Sequence, residues 1–312
     1  MPNRSPSSTP TGVQDETGLD GRLVAAVLVT VLAWASAFVV IRSVGDTFSP
    51  GALTLGRLAV GSLALSLTML SRHRIALTRR EWGLIVVIGL AWFGVYNVAL
   101  NAGERHVDAG TAAMLIQVAP ILIGVLAGLL LGEGFPRMLV FGGLVAFAGT
   151  LLIGIATSTG DADGIGALLV LISAVVYAVA MVAQKVVLRR VSGLQVTWLA
   201  CLIGTVACLP FVGSLVQEVS AAPTRAIVGV VYLGLVPTAL AFSTWAYALS
   251  RTSAGKLGVT TYVVPPIAIA LGWVFLHEVP ALLAVVGGLI SLVGVGIARR
   301  PARRTLVVGP TG

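Results

Sequence analysis

An apolar segment that contains a proline and ends on a glutamate occurs twice in this chain. The first copy, AGTAAMLIQVAPILIGVLAGLLLGE, covers residues 109–133, and the second, AGKLGVTTYVVPPIAIALGWVFLHE, covers residues 254–278. Each position of the second copy lies 145 residues after its counterpart, so Pro120 corresponds to Pro265. The same register holds for three glycines after each copy: Gly142, Gly143 and Gly149 match Gly287, Gly288 and Gly294. Leucine matches are common in apolar sequence, but matched proline, glutamate and glycines indicate an internal duplication.

The composition of the chain is that of a membrane protein. Hydrophobic residues make up 57% of the sequence and charged residues only 10%, against about 25% charged residues in a soluble domain. A helix needs about 20 apolar residues to cross the hydrocarbon core, and such segments fill most of the chain. We therefore predict an all-α polytopic membrane protein with ten transmembrane helices. The predicted spans are residues 23–41, 52–70, 82–101, 109–131, 138–155, 165–188, 194–212, 226–249, 254–276 and 281–298.

The ten predicted spans divide into two repeats of five helices, residues 21–155 and 165–300, joined by an external linker at residues 156–164. Residues 1–20, rich in Pro, Ser, Thr and Gly, are predicted to form a disordered cytoplasmic tail, and residues 301–312 a second cytoplasmic tail. The sequence Ala33-Trp34-Ala35 also resembles a signal-peptidase site. Because the first repeat needs this helix, we expect it to be retained.

The distribution of Lys and Arg sets the orientation of the predicted spans. With the N-terminus inside, sixteen basic residues lie in cytoplasmic segments and three outside, while Arg57 lies within a span. The inside residues are Arg4, Arg22, Arg72, Arg74, Arg79, Arg80, Arg137, Lys185, Arg189, Arg190, Arg251, Lys256, Arg299, Arg300, Arg303 and Arg304, and the outside ones are Arg42, Arg105 and Arg225. This bias places both termini in the cytoplasm. Since five spans per repeat is an odd number, the second repeat has the inverted orientation, an arrangement typical of transporters.

The chain resembles an EamA-type member of the drug/metabolite transporter superfamily. The resemblance rests on Trp34-Ala35-Ser36 in the first span, Arg57 in the second, and the two segments that contain Ala-Gly, Pro and Glu. Leu131-Gly132-Glu133 and Leu276-His277-Glu278 lead into glycine-rich spans in both halves. The resemblance implies ten helices, a central cavity between the repeats, and export of small metabolites or drugs, without specifying a substrate.

Polar and aromatic residues within the spans are candidates for a substrate cavity. Polar groups that face lipid are costly, so we expect these to face the bundle interior, where they either join helices or bind substrate. The candidates are Trp34, Trp92, Tyr96, Asn97, Gln117, Pro120, Tyr177, Gln184, Ser243, Tyr247, Thr261, Tyr262 and Pro265. The prolines remove backbone donors, which frees carbonyls near Ile116, Thr261 and Tyr262. Such breaks are tolerated where they are buried or line a wet cavity.

Few charges lie in or near the spans, and three of them are candidates for gating or structural roles. Arg57 is expected to reach outward to the headgroups or to pair with the ends of neighbouring helices. Glu133 and Glu278 lie at helix ends and are expected to anchor the turns between spans 4 and 5 and between spans 9 and 10. A gating or proton-linked role of the two glutamates is the alternative.

Several classes of function find no support in the sequence. There is no H-E-x-x-H, G-x-S-x-G or G-x-x-x-x-G-K-[ST] motif, so we expect neither an enzyme nor an ATP-driven pump, and neither a metal nor a cofactor. The net charge of +8 comes from basic residues in short loops between the spans. Such residues reflect membrane topology, so we do not expect the protein to bind nucleic acid. Cys201 and Cys208, about 10 Å apart on one helix, cannot form a disulfide.

The sequence therefore predicts a transporter in the plasma or inner membrane, a monomer or a homodimer, that works by alternating access. The predicted substrate is a small neutral or zwitterionic metabolite, such as an amino acid or a derivative, or an amphipathic drug, and the predicted direction is export. The alternative is an importer or facilitator of a small metabolite with the same fold, and a third hypothesis is a membrane sensor or scaffold that transports nothing.

The predicted topology can be tested with reporter fusions. Fusions after Arg300 and within residues 72–80 should report the cytoplasm, and fusions within residues 156–164 should report the outside, because the basic residues cluster on one side. A C-terminal reporter found outside would contradict both the ten-span scheme and the inverted repeat.

Overall fold

A computed structural model of the protein describes residues 20–103, 106, 115–158, 164–276 and 279–300. Within these ranges all regular secondary structure is helical. In chain order the helices are α1 (Gly21–Val44), α2 (Pro50–Met69), α3 (Arg79–Gly103), α4 (Ala119–Leu130), α5 (Arg137–Thr157), α6 (Gly164–Val187), α7 (Gly193–Ala207), α8 (Thr224–Arg251), α9 (Ala254–Phe275) and α10 (Leu282–Ala298).

Seven of these helices, all except α4, α7 and α10, are long and apolar enough to cross a membrane. Helix α7 and its bent continuation together would make an eighth span. Helices α4 and α10 lie where the fourth and tenth spans were predicted, but they have only 12 and 17 residues. Residues 107–114, ahead of α4, are outside the described part of the chain. The all-α polytopic class is thus confirmed, and the count of ten spans stays a prediction.

The predicted boundaries of the seventh span are wrong. Helix α7 ends at Ala207, a 3₁₀ turn follows at Leu209–Phe211, and a second helix continues over Val212–Ala221 at an angle of 52°. Pro210 lies in this turn and cannot donate the backbone hydrogen bond that a straight helix would require. The two cysteines near this bend, Cys201 and Cys208, are both free and buried.

Helices α3 and α8 each contain a π-helical segment that the sequence did not lead us to predict. The segments are Gly89–Val95 and Gly234–Leu240, and they lie 145 residues apart, in the register of the repeated segment. A π-helical turn displaces backbone groups from their usual partners, and side chains bind the displaced carbonyls. The Asn97 amide donates to the carbonyls of Trp92 and Phe93, both at 3.0 Å, and the Thr238 hydroxyl donates to Leu233 O at 2.8 Å.

The two π-helical segments form equivalent junctions with α2 and α7. A Cβ on Gly234 would lie 2.5 Å from Val60 Cβ of α2, and a Cβ on Gly89 would lie 2.7 Å from Ile203 Cβ of α7. Thus α2 of the first half packs against α8 of the second half, and α7 of the second half packs against α3 of the first. The glycines allow these backbones to approach closely, as is typical of membrane helices.

Helices α5 and α10 pack backbone to backbone along a seam of four glycines. A Cβ on Gly142 would lie 2.3 Å from Ala298 N, and a Cβ on Gly149 would lie 2.4 Å from Ser291 N. On α10, a Cβ on Gly287 would lie 2.6 Å from Gly149 O, and a Cβ on Gly294 would lie 2.2 Å from the backbone nitrogen of Ala146. The glycines of the duplication therefore form the contact between the two halves, Gly142 with Gly294 and Gly149 with Gly287.

We expect Gly142→Ala to destabilise the protein by about 1–3 kcal/mol, the usual cost of overpacking, because the added methyl group meets backbone atoms of α10. Gly296→Ala is the matched control, since a Cβ there has no neighbour within 4 Å and alanine favours the helix. The measurement is the melting temperature of both variants in detergent. Equal melting temperatures would show that the seam is not tightly packed.

Candidate substrate-binding site

Aromatic side chains from α1, α3, α6 and α8 meet between the two halves of the protein. We call them the aromatic cluster: Trp34, Trp92, Phe93, Tyr96, Tyr177, Phe242 and Trp245. Trp92 is central, with ring centroids of Tyr177 at 4.8 Å, Phe242 at 5.0 Å and Trp34 at 6.4 Å. Trp92 and Trp245 are only 2% and 1% exposed, so these rings are enclosed by the protein.

The structure brings together four of the predicted cavity residues in this cluster: Trp34, Trp92, Tyr96 and Tyr177. Phe242 and Trp245 were not among the predicted site residues. Their spacing of three residues on α8, beside the predicted Ser243, is the signal in the sequence that could have included them, since residues three apart share one helix face.

Both π-helical segments border the aromatic cluster. Trp92 and Phe93 lie within the segment of α3. Trp34 donates from Nε1 to the carbonyl of Pro237, at 3.3 Å, and Pro237 lies within the segment of α8. π-helical turns are frequent at functional sites, and here one occurs on each side of the same group of rings.

Two residues of this cluster, and Gln184 two turns after Tyr177 on α6, carry buried polar atoms that make no hydrogen bond to any described residue. They are the Tyr177 hydroxyl, both amide atoms of Gln184, and Nε1 of Trp245. The Thr261 hydroxyl, which lies near the Tyr177 hydroxyl, donates its own proton to Gly258 O at 2.7 Å. It therefore cannot donate to Tyr177, and the Tyr177 oxygen is left as an acceptor. Leaving a buried polar group unsatisfied costs about 1–3 kcal/mol, so these groups are available to a ligand that can form hydrogen bonds.

The two proline-containing helices, α4 and α9, meet close to the cluster. In α9 a 3₁₀ turn at Thr261–Val263 separates two α-helical parts, and Pro265 begins the second part. The freed carbonyl of Tyr262 accepts a hydrogen bond from Ser291 at 2.9 Å. The Tyr262 hydroxyl donates to the carbonyl of Gln117 at 3.1 Å. Because Gln117 is the counterpart of Tyr262 in the repeat register, this contact joins equivalent positions of the two halves.

An apolar groove of about 150 Å³ lies beside α4, α5 and α9. Pro120 and Tyr262, two of the predicted cavity residues, contribute to its wall together with Gly124, Gly143 and Val259. Its lining is almost entirely apolar, so it suits alkyl groups rather than polar ones.

Three other predicted cavity residues make contacts within their own helices, two of them through their polar groups. Asn97 binds the carbonyls of the α3 π-helical segment, and Ser243 donates to Ala239 O at 2.6 Å. The ring of Tyr247 lies under the guanidinium of Arg251, 4.4 Å from its centroid. These contacts stabilise helices α3 and α8, and a part in substrate binding stays a prediction for these residues.

Arg57 does not reach outward to headgroups, so that expectation is wrong. The side chain lies inside the protein, 8% exposed, and its Nε donates to Thr238 Oγ1 at 3.2 Å. Its position is explained by the α2–α8 junction, which directs it toward the π-helical segment of α8.

Glu133 contacts the second half of the protein rather than its own turn. Its carboxylate accepts hydrogen bonds from Ala254 N at 2.7 Å and Gly255 N at 3.0 Å, at the start of α9. Gly132 and Gly134 on either side have φ of +69° and +66°, a left-handed conformation that glycine adopts readily. The carboxylate thus caps α9, where it also complements the helix dipole. Glu278, its counterpart, is outside the described residues.

Lys185 binds the same turn from α6. Its ammonium group donates to the carbonyls of Leu249 and Thr252, both at 2.6 Å, just before the two amides that Glu133 caps. We call this arrangement of Glu133, Lys185 and residues 249–255 the α8–α9 latch. It fixes the end of α8 and the start of α9 to both halves of the protein at one end of the bundle.

Comparison with known families identifies the two halves. The EamA-like transporter family matches residues 22–155 and residues 164–300. These two ranges contain the helices that contribute the aromatic cluster, the π-helical segments and the α8–α9 latch.

Individual relatives cover most of the chain. A "Probable terminal-alkyne amino-acid exporter" of Streptantibioticus cattleyicolor is 38% identical over 283 residues, which is 89% of this chain and 94% of the relative. "Uncharacterized transporter YdfC" of Bacillus subtilis is 31% identical over 263 residues, covering 84% of this chain and 86% of the relative. A solved structure described only as "Crystal structure of protein" superposes with a TM-score of 0.74 at 23% identity, over 91% of this chain and 99% of the other. The similarity to this solved structure shows a shared fold and nothing about function.

We expect Glu133→Ala to destabilise the protein by about 0.5–2 kcal/mol, the usual effect of losing a helix cap, because both amides at the start of α9 lose their acceptor. Glu133→Gln keeps a neutral acceptor oxygen and should cost less. The measurement is thermal unfolding of the purified variants. If Glu133→Ala unfolds at the wild-type temperature, the carboxylate does not stabilise the latch.

Proposed function

Because the chain belongs to the EamA-like transporter family, we propose that it exports small zwitterionic or neutral metabolites, amino acids or their derivatives first among them, or amphipathic drugs. The observation that carries this proposal is the aromatic cluster between the halves, with buried polar groups of Tyr177, Gln184 and Trp245 that no described residue binds. A transported solute would supply the missing hydrogen bonds and pack against the rings.

The chemistry of the cluster favours a small amphipathic solute. Its rings offer apolar faces, and only a few polar atoms converge there, as is usual in small-molecule sites. Phosphorylated solutes would require several cations, whereas Arg57 is the one buried charged residue in the described part of the chain. The name of the Streptantibioticus cattleyicolor relative, a probable exporter of terminal-alkyne amino acids, supports an amino acid as the substrate.

We further propose that the two halves are inverted five-helix repeats that rock against each other in the plasma or inner membrane, with both termini in the cytoplasm. Equivalent contacts between the halves support this arrangement. Helix α2 packs against α8 in the same way as α7 packs against α3, and glycines of α5 contact glycines of α10. The hydrogen bond between Tyr262 and Gln117 joins counterparts, as expected near an axis that relates the halves. Inverted repeats place a substrate site at such an interface.

In the proposed orientation the α8–α9 latch lies at the cytoplasmic end. Glu133 comes from the first half, whereas the amides that it caps and the carbonyls that Lys185 binds belong to the second. Opening toward the cytoplasm would therefore require the hydrogen bonds of Glu133 to break, whereas those of Lys185, which itself belongs to the second half, would remain. Opening toward the outside would leave all of them intact.

The proposal is tested by counterflow of L-propargylglycine, a terminal-alkyne amino acid, in proteoliposomes. Tyr177→Phe and Gln184→Leu remove unpaired groups and should raise KM by about 2- to 10-fold, the value of one hydrogen bond. The same variants should unfold at or above the wild-type temperature, because each removes an unsatisfied buried group.

Thr68→Ala is the matched control, because the exposed Thr68 hydroxyl bonds within its own helix, to Leu65 O at 2.7 Å, and it should leave KM nearly unchanged. Wild-type KM in both Tyr177→Phe and Gln184→Leu would count against the aromatic cluster as the site. Strong destabilisation of these variants would indicate that the groups join helices instead.

A further inference from the structure

Arg57 is the one buried charged residue among those that the structure describes. It lies two turns into α2, and its Nε donates to Thr238 Oγ1 at 3.2 Å. The Thr238 hydroxyl gives its own proton to Leu233 O at 2.8 Å, so it accepts from Arg57. A guanidinium has five N–H donors, and this is its one hydrogen bond to the described residues.

No carboxylate of the described residues pairs with this cation. The ion pairs among the described residues join Arg190 to Glu81 and Arg251 to Asp20, and Arg57 takes part in neither. A cation that is removed from water without a counter-ion is costly, and charged residues within membrane helices commonly mark the pathway of a substrate or an ion. The guanidinium is therefore suited to an anionic group that a ligand brings.

The guanidinium lies next to the aromatic cluster. Its partner Thr238 follows Pro237, whose carbonyl accepts the hydrogen bond from Trp34. The π-helical segment of α8 thus binds a ring of the cluster through Pro237 and the guanidinium through the adjacent Thr238. Arg57 therefore borders the cluster from α2, whereas Tyr177 belongs to it from α6, and Gln184 follows two turns later on the same helix.

Packing of the helices does not require a charge at this position. In the α2–α8 junction, a Cβ on Gly234 would lie 2.8 Å from Arg57 O, and in the equivalent α7–α3 junction, a Cβ on Gly89 would lie 2.8 Å from Ala200 O. Ala200 therefore occupies in the second half the place of Arg57 in the first. Since the second half forms the same junction with alanine, the guanidinium serves another purpose than packing.

We propose that Arg57 binds the carboxylate of the transported solute, and that the aromatic cluster receives its ammonium group and side chain. Arginine binds carboxylates through paired hydrogen bonds, and the faces of Trp and Tyr rings attract an ammonium group. The Tyr177 hydroxyl and the Gln184 carbonyl oxygen are the free acceptors for its protons. This inference rests on the proposed function and narrows the substrates to solutes with a free carboxylate, of which α-amino acids fit best.

The test compares L-propargylglycine with its primary amide, which lacks the carboxylate, and its N-acetyl derivative, which lacks the ammonium group. In wild-type proteoliposomes the acid should be transported, the N-acetyl compound should compete weakly, and the amide should not compete. Arg57→Gln should raise KM for the acid about tenfold or more, since charged hydrogen bonds are strong, and should abolish the preference for acid over amide. Arg57→Lys should lie between the two, because lysine keeps the charge without the paired geometry.

Arg225→Gln is the matched control, because it removes an arginine from an exposed position of α8, and it should behave as wild type. If Arg57→Gln does not fold, the competition by amide and acid in the wild type still decides. Equal competition by the two, or an Arg57→Gln variant with wild-type KM and preference, would overturn the inference.

If the wild type transports none of the three compounds, the proposed amino-acid function is contradicted, but the carboxylate site at Arg57 is not yet decided. The carboxylate site is then judged by thermal unfolding in sodium propionate against sodium chloride at equal ionic strength. Stabilisation by propionate that Arg57→Gln abolishes would support the site, and equal unfolding temperatures in the two salts would overturn it.

Discussion

The need to satisfy every backbone hydrogen bond in an apolar medium governs this structure. A helix meets that need within a single segment of chain surrounded by hydrocarbon, and the described part of the chain departs from α-helix inside its long spans at few places. Each departure is compensated by a specific side chain: Asn97 and Thr238 at the π-helical segments and Ser291 at the break of α9. These departures lie around the aromatic cluster, so the least regular backbone is also where the polar and aromatic groups of the candidate site converge.

The same departures tie the two halves to each other. Gly234 and Gly89, which begin the two π-helical segments, are residues against which α2 and α7 pack closely. A change in the angle between the halves would move the π-helical segments and the rings that they carry together. This coupling gives a physical route by which rocking of the halves, as proposed, would expose the cluster to one side or the other, with the α8–α9 latch closing the cytoplasmic end.

The class of the fold and part of the site could be predicted from the sequence, for clear physical reasons. Apolar length predicts helices, and the conspicuous aromatic residues Trp34, Trp92 and Tyr177 were predicted to share a cavity with polar residues, because polar groups that face lipid are costly. The π-helical segments could not be predicted, since Gly89 and Gly234 resemble any other glycines of an apolar span. The position of Arg57 depends on the α2–α8 junction, and the reach of Glu133 across to α9 depends on the left-handed Gly132 and Gly134, so neither follows from spacing alone.

The central claim, that the aromatic cluster opens alternately to the two sides of the membrane, is tested most directly by the accessibility of one cysteine. Tyr96→Cys would be placed in a background in which Cys201 and Cys208 are replaced by alanine. Its reaction with a membrane-impermeant thiol reagent would be measured in intact cells and in inside-out vesicles. The account predicts labelling from both sides, slowed from each by L-propargylglycine. Labelling from one side only, or from neither, would contradict it.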